Sequence, residues 1–136
     1  MAFTDAAGDR RIIEGTCPVE IVLAGTVHAG DPLMYSTGWK LAINTSTAPA
    51  CLIAGETGVS GDTITAYGGP CVIELKHTAA NVPTMGQLIA VSDTGIYDDA
   101  AANTQDIGYI VEIDSDNLHS RMVVHPATAE LDTLGT

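Results

Sequence analysis

Apolar runs in this chain are short, and glycine or a turn dipeptide ends nearly every one. Val19, Ile21 and Leu23 alternate with Glu20 and Val22 ahead of Gly25, and Thr63-Ile64-Thr65-Ala66-Tyr67 stops at Gly68-Gly69-Pro70. Cys71, Ile73, Leu75 and His77 fall on one side of an alternating run, with Val72, Glu74 and Lys76 on the other. Side chains on one face of a strand recur every second residue, so this pattern predicts half-buried strands. No stretch carries a helical period over a useful length. The expected fold class is all-β. Strands this short and numerous favour a small barrel or a sandwich, because closure removes exposed edges.

Two hairpins follow from turn chemistry. Pro32 to Ser36 leads into Thr37-Gly38 and returns through Trp39 to Ile43; Gln87 to Ser92 crosses Asp93-Thr94-Gly95 and returns through Ile96-Tyr97. Pro49 to Ala54 reads as a short apolar strand. Ile107, Tyr109, Val111 and Ile113 are expected to face one way, Asp114-Ser115-Asp116-Asn117 to turn, and Leu118 to His125 to form the last strand before Pro126. Ala100-Ala101-Ala102, within Asp98 to Asp106, has room for one helical turn.

The length of 136 residues fits one domain. Residues 1 to 15 stand apart, because Ala6-Ala7-Gly8-Asp9-Arg10-Arg11 holds two of the five basic residues and no amphipathic period. They are expected to be an arm that the domain does not order by itself. Residues 16 to 126 form the β domain, and the small, polar residues 127 to 136 form a loose tail.

Seventeen acidic residues against five basic ones leave a net charge of −12. That balance disfavours direct contact with nucleic acid or an anionic membrane, since both call for Lys and Arg to neutralise phosphates. No apolar window of about 18 residues spans a bilayer. The start, Met1-Ala2-Phe3-Thr4-Asp5, lacks the basic and apolar regions of a signal peptide, so synthesis and folding in a cytoplasm are expected.

Motifs for chemistry are weak. Gly58-Val59-Ser60-Gly61 lacks the spacing of a nucleophile elbow. Cys17, Cys51 and Cys71 form no C-x-x-C and read best as free thiols; Cys17, before Pro18, is the one candidate for an exposed nucleophile with a histidine partner. His119 and His125 are about 20 Å apart at about 3.3 Å per residue, too far to share one ion. Asp114 to Asn117 resembles the start of a calcium loop, but His119 and His125 stand where glycine and glutamate are needed, so a turn is the better reading. The glycine-rich run Gly55 to Asp62 has no lysine and two acids, unlike a phosphate loop. Asn44-Thr45-Ser46 matches a glycosylation acceptor by chance, and no lysine marks a carrier barrel. The expectation is a binding or structural protein, with no enzyme activity, no cofactor and no metal.

The order of segments carries one resemblance. Val27-His28-Ala29-Gly30-Asp31-Pro32-Leu33 is followed by Thr37-Gly38-Trp39-Lys40-Leu41-Ala42, Cys51-Leu52-Ile53-Ala54-Gly55 and Gly61-Asp62-Thr63-Ile64-Thr65-Ala66-Tyr67-Gly68-Gly69. Met85-Gly86-Gln87-Leu88, Asp93-Thr94-Gly95-Ile96-Tyr97 and Ile107-Gly108-Tyr109-Ile110-Val111-Glu112 complete it. Over residues 16 to 125 the chain resembles the capsid decoration, or cement, proteins of tailed bacteriophages. The resemblance implies a small β-barrel of the β-tulip type with a flexible N-terminal arm. It implies a homotrimer bound to the major capsid protein on the outer surface of the mature virion, stabilising the head against internal DNA pressure. The likeness implies no enzyme activity. Thr63 to Tyr67 is less apolar than the family's valine-rich strand, and the arm and tail carry no family motif.

An arm with free backbone groups can add a strand to a capsid sheet edge. On this reading Ala2 to Ile13 bind the shell, with Phe3, Ile12 and Ile13 as apolar anchors and Arg10 and Arg11 meeting acids; the plainer reading of the two arginines is a solvated pair. Val22 and Val72, apolar on otherwise polar faces, are candidates for a trimer interface. The alternative is a virion β domain that binds a host-surface glycan, for which Trp39, Tyr35, Tyr67, Tyr97 and Tyr109 are the only aromatic candidates.

Overall fold

The structure, a computed structural model, describes residues 8–43, 48–92, 97–99 and 105–126. Phe3, the proposed alanine turn at 100–102 and the tail from 127 lie outside the described residues. Among the described residues eleven strands are present: β1 (Arg11–Glu14), β2 (Pro18–Val22), β3 (Pro32–Tyr35), β4 (Trp39–Leu41), β5 (Leu52–Ala54), β6 (Thr63–Tyr67), β7 (Cys71–Lys76), β8 (Leu88–Val91), β9 (Tyr97–Asp99), β10 (Gln105–Ile113) and β11 (His119–Val124). One turn of 3-10 helix, Ala79–Asn81, is the only helical element among the described residues. The fold is all-β, as the alternation and turn residues predict.

The strands form two sheets, six-stranded in the order β1-β7-β11-β10-β8-β9 and five-stranded in the order β2-β6-β5-β3-β4. Every strand pair is antiparallel. Both expected hairpins pair: Tyr35 faces Trp39 across a turn in which Thr37 and Gly38 take positive φ, and Val91 faces Tyr97. The chain crosses between the sheets at Gly15–Cys17 and again at Gly68–Pro70.

Two apolar cores result. The first draws Met34 and Ile53 from the five-stranded sheet against Ile73, Leu75, Ile89, Ile110, Met122 and Val124 of the six-stranded one. The second gathers Ile21, Leu23, Leu33, Leu52, Ile64 and Ala66 within the five-stranded sheet. Leu52 and Ile53 are neighbours in sequence and serve different cores, so β5 is buried on both faces. This is why Leu52-Ile53-Ala54 reads as a continuous apolar run rather than an alternating one. The edges of the five-stranded sheet meet at a single point, where Leu23 bridges Trp39 and the Ala24 N–H donates to the Trp39 carbonyl at 2.8 Å. Neither sheet closes through a continuous ladder.

The expectation for the first fifteen residues changes in two ways. Arg11–Glu14 is a strand at the edge of the six-stranded sheet, with Arg11 opposite Glu74 and Ile12 opposite Ile73. Arg10, just before it, has a fully buried side chain that pairs with Asp31, which itself leads into β3. The guanidinium also lies 4.6 Å from the ring centre of Tyr97, at the start of β9. Tyr97 donates its hydroxyl to the Gly30 carbonyl at 2.7 Å, and the second Asp31 oxygen accepts the His28 N–H at 2.8 Å. Arg10 therefore joins both edges of one sheet to the other sheet and cannot meet acids on a partner's surface.

A second difference lies in β10. Ile107 and Ile110 are buried while Tyr109 and Val111 are exposed. Register shifts between Asp106 and Gly108 and between Ile110 and Glu112 explain this, because each bulge inserts one residue and resets the alternation. Ile107, Tyr109, Val111 and Ile113 therefore do not share a face. Gly108, between the bulges, has no room for a β-carbon, which would collide with the Val123 carbonyl oxygen.

Replacing Arg10 with Met should cost about 3–5 kcal/mol in urea unfolding, because it removes the guanidinium from a buried carboxylate. The double variant R10M/D31N should regain part of that loss. A single-variant loss below about 1 kcal/mol would show that the pair does not hold the sheets together.

Candidate functional site: the outward face of the six-stranded sheet

Cross-strand register decides which side chains stand together on the outside of the six-stranded sheet. Val72 faces Val123, Val123 faces Tyr109, and Tyr109 faces Leu88. One apolar row thus crosses β7, β11, β10 and β8. Leu88 is 53 % exposed and Tyr109 39 %. The Tyr109 ring is stacked on His125, centroids 6.1 Å apart, and the exposed Val111 and Met85 lie nearby in sequence and pairing, since the Gly86 N–H donates to the Ile110 carbonyl.

Two residues along the strands runs an ionic row. Arg11 faces Glu74, Glu74 faces Arg121, and Arg121 faces Glu112. One Glu74 oxygen takes Arg11 at 3.4 Å and Arg121 at 3.3 Å, and Arg121 also pairs with Glu112. Exposed pairs of this kind contribute roughly 0–1 kcal/mol each and are screened by salt. Their larger effect here is on charge. Arg11, Lys76 and Arg121 share this face with Glu14, Glu74 and Glu112, so these strand residues sum to zero in a chain of net charge −12.

The residues singled out from sequence scatter. Arg11 joins the ionic row, Ile12 packs against the first core, and Ile13 is 44 % exposed at the β1 bulge. Val72 joins the apolar row, whereas Val22 stands exposed on β2, at the edge of the other sheet. Among the aromatics Tyr97 is fully buried; Tyr35 is 60 % exposed and meets Trp39 edge-on at 5.2 Å. Leu88 is the member that strand-by-strand reading misses, and Tyr109, a candidate only as an exposed aromatic, joins it because register across the strands brings both into line with Val123 and Val72.

Other candidate chemistry is accounted for by local bonds. His77 is buried, its Nδ1 facing the Thr78 carbonyl at 3.2 Å and its Nε2 facing Ser120 Oγ at 2.7 Å. A neutral ring that donates from Nδ1 and accepts at Nε2 satisfies both. Asp114, Asp116 and His119 bring their ligand atoms within 4.8 Å of one another. Asp116 already accepts the Leu118 N–H at 2.7 Å and the His119 N–H at 3.2 Å, and its other oxygen meets His119 Nδ1 at 2.9 Å. These are turn-forming bonds, as the sequence predicts, with Asn117 at φ 57°.

The Leu118 N–H and then the His119 side chain hold the Asp116 carboxyl below its ordinary range. A lowered folded-state pKa means that the turn gains from the carboxylate above the unfolded pKa and loses that gain as pH falls through the folded value. Carbon-13 titration of the carboxyl should give a midpoint below 3.8, and H119A should move it upward. A wild-type midpoint at or above 3.8 would contradict the bonding described.

Comparison with family models, curated proteins and solved structures finds no match. The class defined by the structure alone is a two-sheet, all-β domain carrying a face with an apolar stripe beside a row of paired charges.

Proposed function

We propose that this chain is a structural virion protein, a decoration protein that binds the outer surface of the mature head of a tailed phage and stabilises it against the pressure of packaged DNA. The observation that carries the reading is the outward face of the six-stranded sheet. An exposed apolar row with a tyrosine at its centre and paired charges along one side has the make-up of a protein-docking surface. On a chain of net charge −12, repulsion weakens approach by other acidic surfaces, and on this face Arg11, Lys76 and Arg121 offset Glu14, Glu74 and Glu112.

The segment order over residues 16 to 125 supports the same reading. So does the geometry that brings sheet edges near each other, at Leu23–Trp39 in one sheet and Arg10–Tyr97 in the other. Those contacts fit a flattened barrel of the β-tulip kind, in which side chains complete what ladders leave open. Docking would occur on the major capsid protein, as a homotrimer, with the residues before Arg10 contributing as an arm. Arg11 and Ile13 remain available to a partner; Arg10 serves the fold.

A second reading has one observation in its favour. Tyr35 and Trp39 form an aromatic pair on the β3–β4 hairpin, with Tyr35 largely exposed, and sugars stack on such surfaces. The rings meet at 76°, so they offer an edge and not one flat platform.

Co-sedimentation with expanded, undecorated capsids tests the first reading. The full chain should bind saturably, and L88D and Y109S should each weaken binding about tenfold or more, as central interface residues do. A variant lacking residues 1 to 7 isolates the arm while leaving Arg10 in place. Binding unchanged in L88D and Y109S would remove the sheet face from the interface. No binding by the full chain, together with glycan-array binding abolished by Y35A, would favour the second reading.

A further inference from the structure

Three described residues other than glycine hold a positive φ: Cys17, Thr37 and Asn117. Thr37 and Asn117 sit in the β3–β4 and β10–β11 turns, where such a backbone closes a hairpin. Cys17 stands instead where the chain passes from β1 in one sheet to β2 in the other, at φ 54°. That conformation is disfavoured for a residue with a β-carbon, and an outlier of this kind calls for a local reason.

Its surroundings supply one. The Cys17 carbonyl accepts the Gly68 N–H at 3.0 Å, the Thr16 carbonyl accepts the Gly69 N–H at 3.3 Å, and Thr16 Oγ1 donates to the Pro70 carbonyl at 2.8 Å. Residues 16 and 17 are thus laced to the three residues that precede Cys71. A β-carbon added to Gly69 would stand 3.0 Å from Cys17 Sγ, and the Cys71 thiol donates to the Gly69 carbonyl at 3.4 Å. Both sulfurs therefore lie against one residue, Cys17 Sγ beside the side-chain position of Gly69 and Cys71 Sγ on its carbonyl. Cys17 is exposed and Cys71 is buried. Burial pushes the Cys71 thiol above its ordinary range, the Thr16 backbone opposes this, and the nearness of Cys17 adds to the rise.

We propose that Cys17 and Cys71 are a latent disulfide pair, an accessible attacking thiol and a buried resolving thiol, which a low-molecular-weight disulfide converts into a covalent staple between the two sheets. The Cys17 thiolate, its proton given to solvent, attacks one sulfur of oxidised glutathione. A Cys17–glutathione bond forms, the glutathione disulfide breaks, and one glutathione departs and takes up a proton. Cys71 then gives its proton to solvent and attacks Cys17 Sγ, and the second glutathione leaves. Two protein thiols are oxidised and one disulfide is reduced to two thiols. The pair follows from the corner of the fold and is independent of what the sheet face binds. Cys51, on the segment leading into β5, takes no part.

The test is incubation of the full, reduced chain with oxidised glutathione at mildly alkaline pH, followed by intact-mass measurement and a non-reducing peptide map. The expected result is a loss of about two mass units, a Cys17–Cys71 cross-linked peptide, and Cys51 still open to alkylation. C17S alters an exposed side chain, should keep the wild-type circular dichroism spectrum, and should show no loss of mass. Four outcomes would overturn the proposal: glutathione retained on Cys17, a Cys17–Cys17 dimer, a bridge to Cys51, or no reaction.

Discussion

The Arg10 guanidinium and the Asp31 carboxylate leave water together, and the geometry of the domain is arranged around that event. Neither charge is tolerable alone in the interior, where desolvating an ion costs several kcal/mol. The pair contributes little net stability compared with an apolar pair of the same shape, but it is demanding about position. Arg10 must reach Asp31 ahead of β3 and pass over the Tyr97 ring at the start of β9. With Arg10 so placed, the next residue enters β1 in the register that sets Arg11 against Glu74 and Ile12 against Ile73. That register adds Arg11 to the outward ionic row of the six-stranded sheet.

Those rows divide labour between the two faces of one sheet. Inward residues of β7, β8, β10 and β11 are Ile, Leu, Val, Met and Cys and fill the shared core. Outward, the same strands alternate apolar and charged positions two residues apart, so a stripe and a ladder lie side by side. The stripe needs the β10 bulges. Without them the alternation would continue unbroken, and Ile107 and Tyr109 could not take opposite sides.

Much of the local structure was legible in the chain. The run Cys71 to His77 alternates as written, Thr63 to Tyr67 matches its strand end to end, and both hairpins return where the turn residues place them. What could not be read is whatever depends on partners far away in sequence. Nothing near Arg10 marks it as buried, because its partners are Asp31 and Tyr97. The bulges in β10 are invisible to a period-two template, which assigns Ile107 to Ile113 a single face. The candidate face is assembled from β7, β8, β10 and β11, and only the pairing order puts Leu88, Tyr109, Val123 and Val72 in one line.

The placement of β1 has a consequence for synthesis. This strand is made before the other described strands, yet its ladder partner is β7, and the aromatic ring over Arg10 belongs to β9. Its ladder edge must wait, solvated and unpaired, until more than half of the chain has emerged, although Asp31, the ion partner of Arg10, follows after 21 residues. The charges that begin the segment, Asp9, Arg10 and Arg11, keep it in water during that interval.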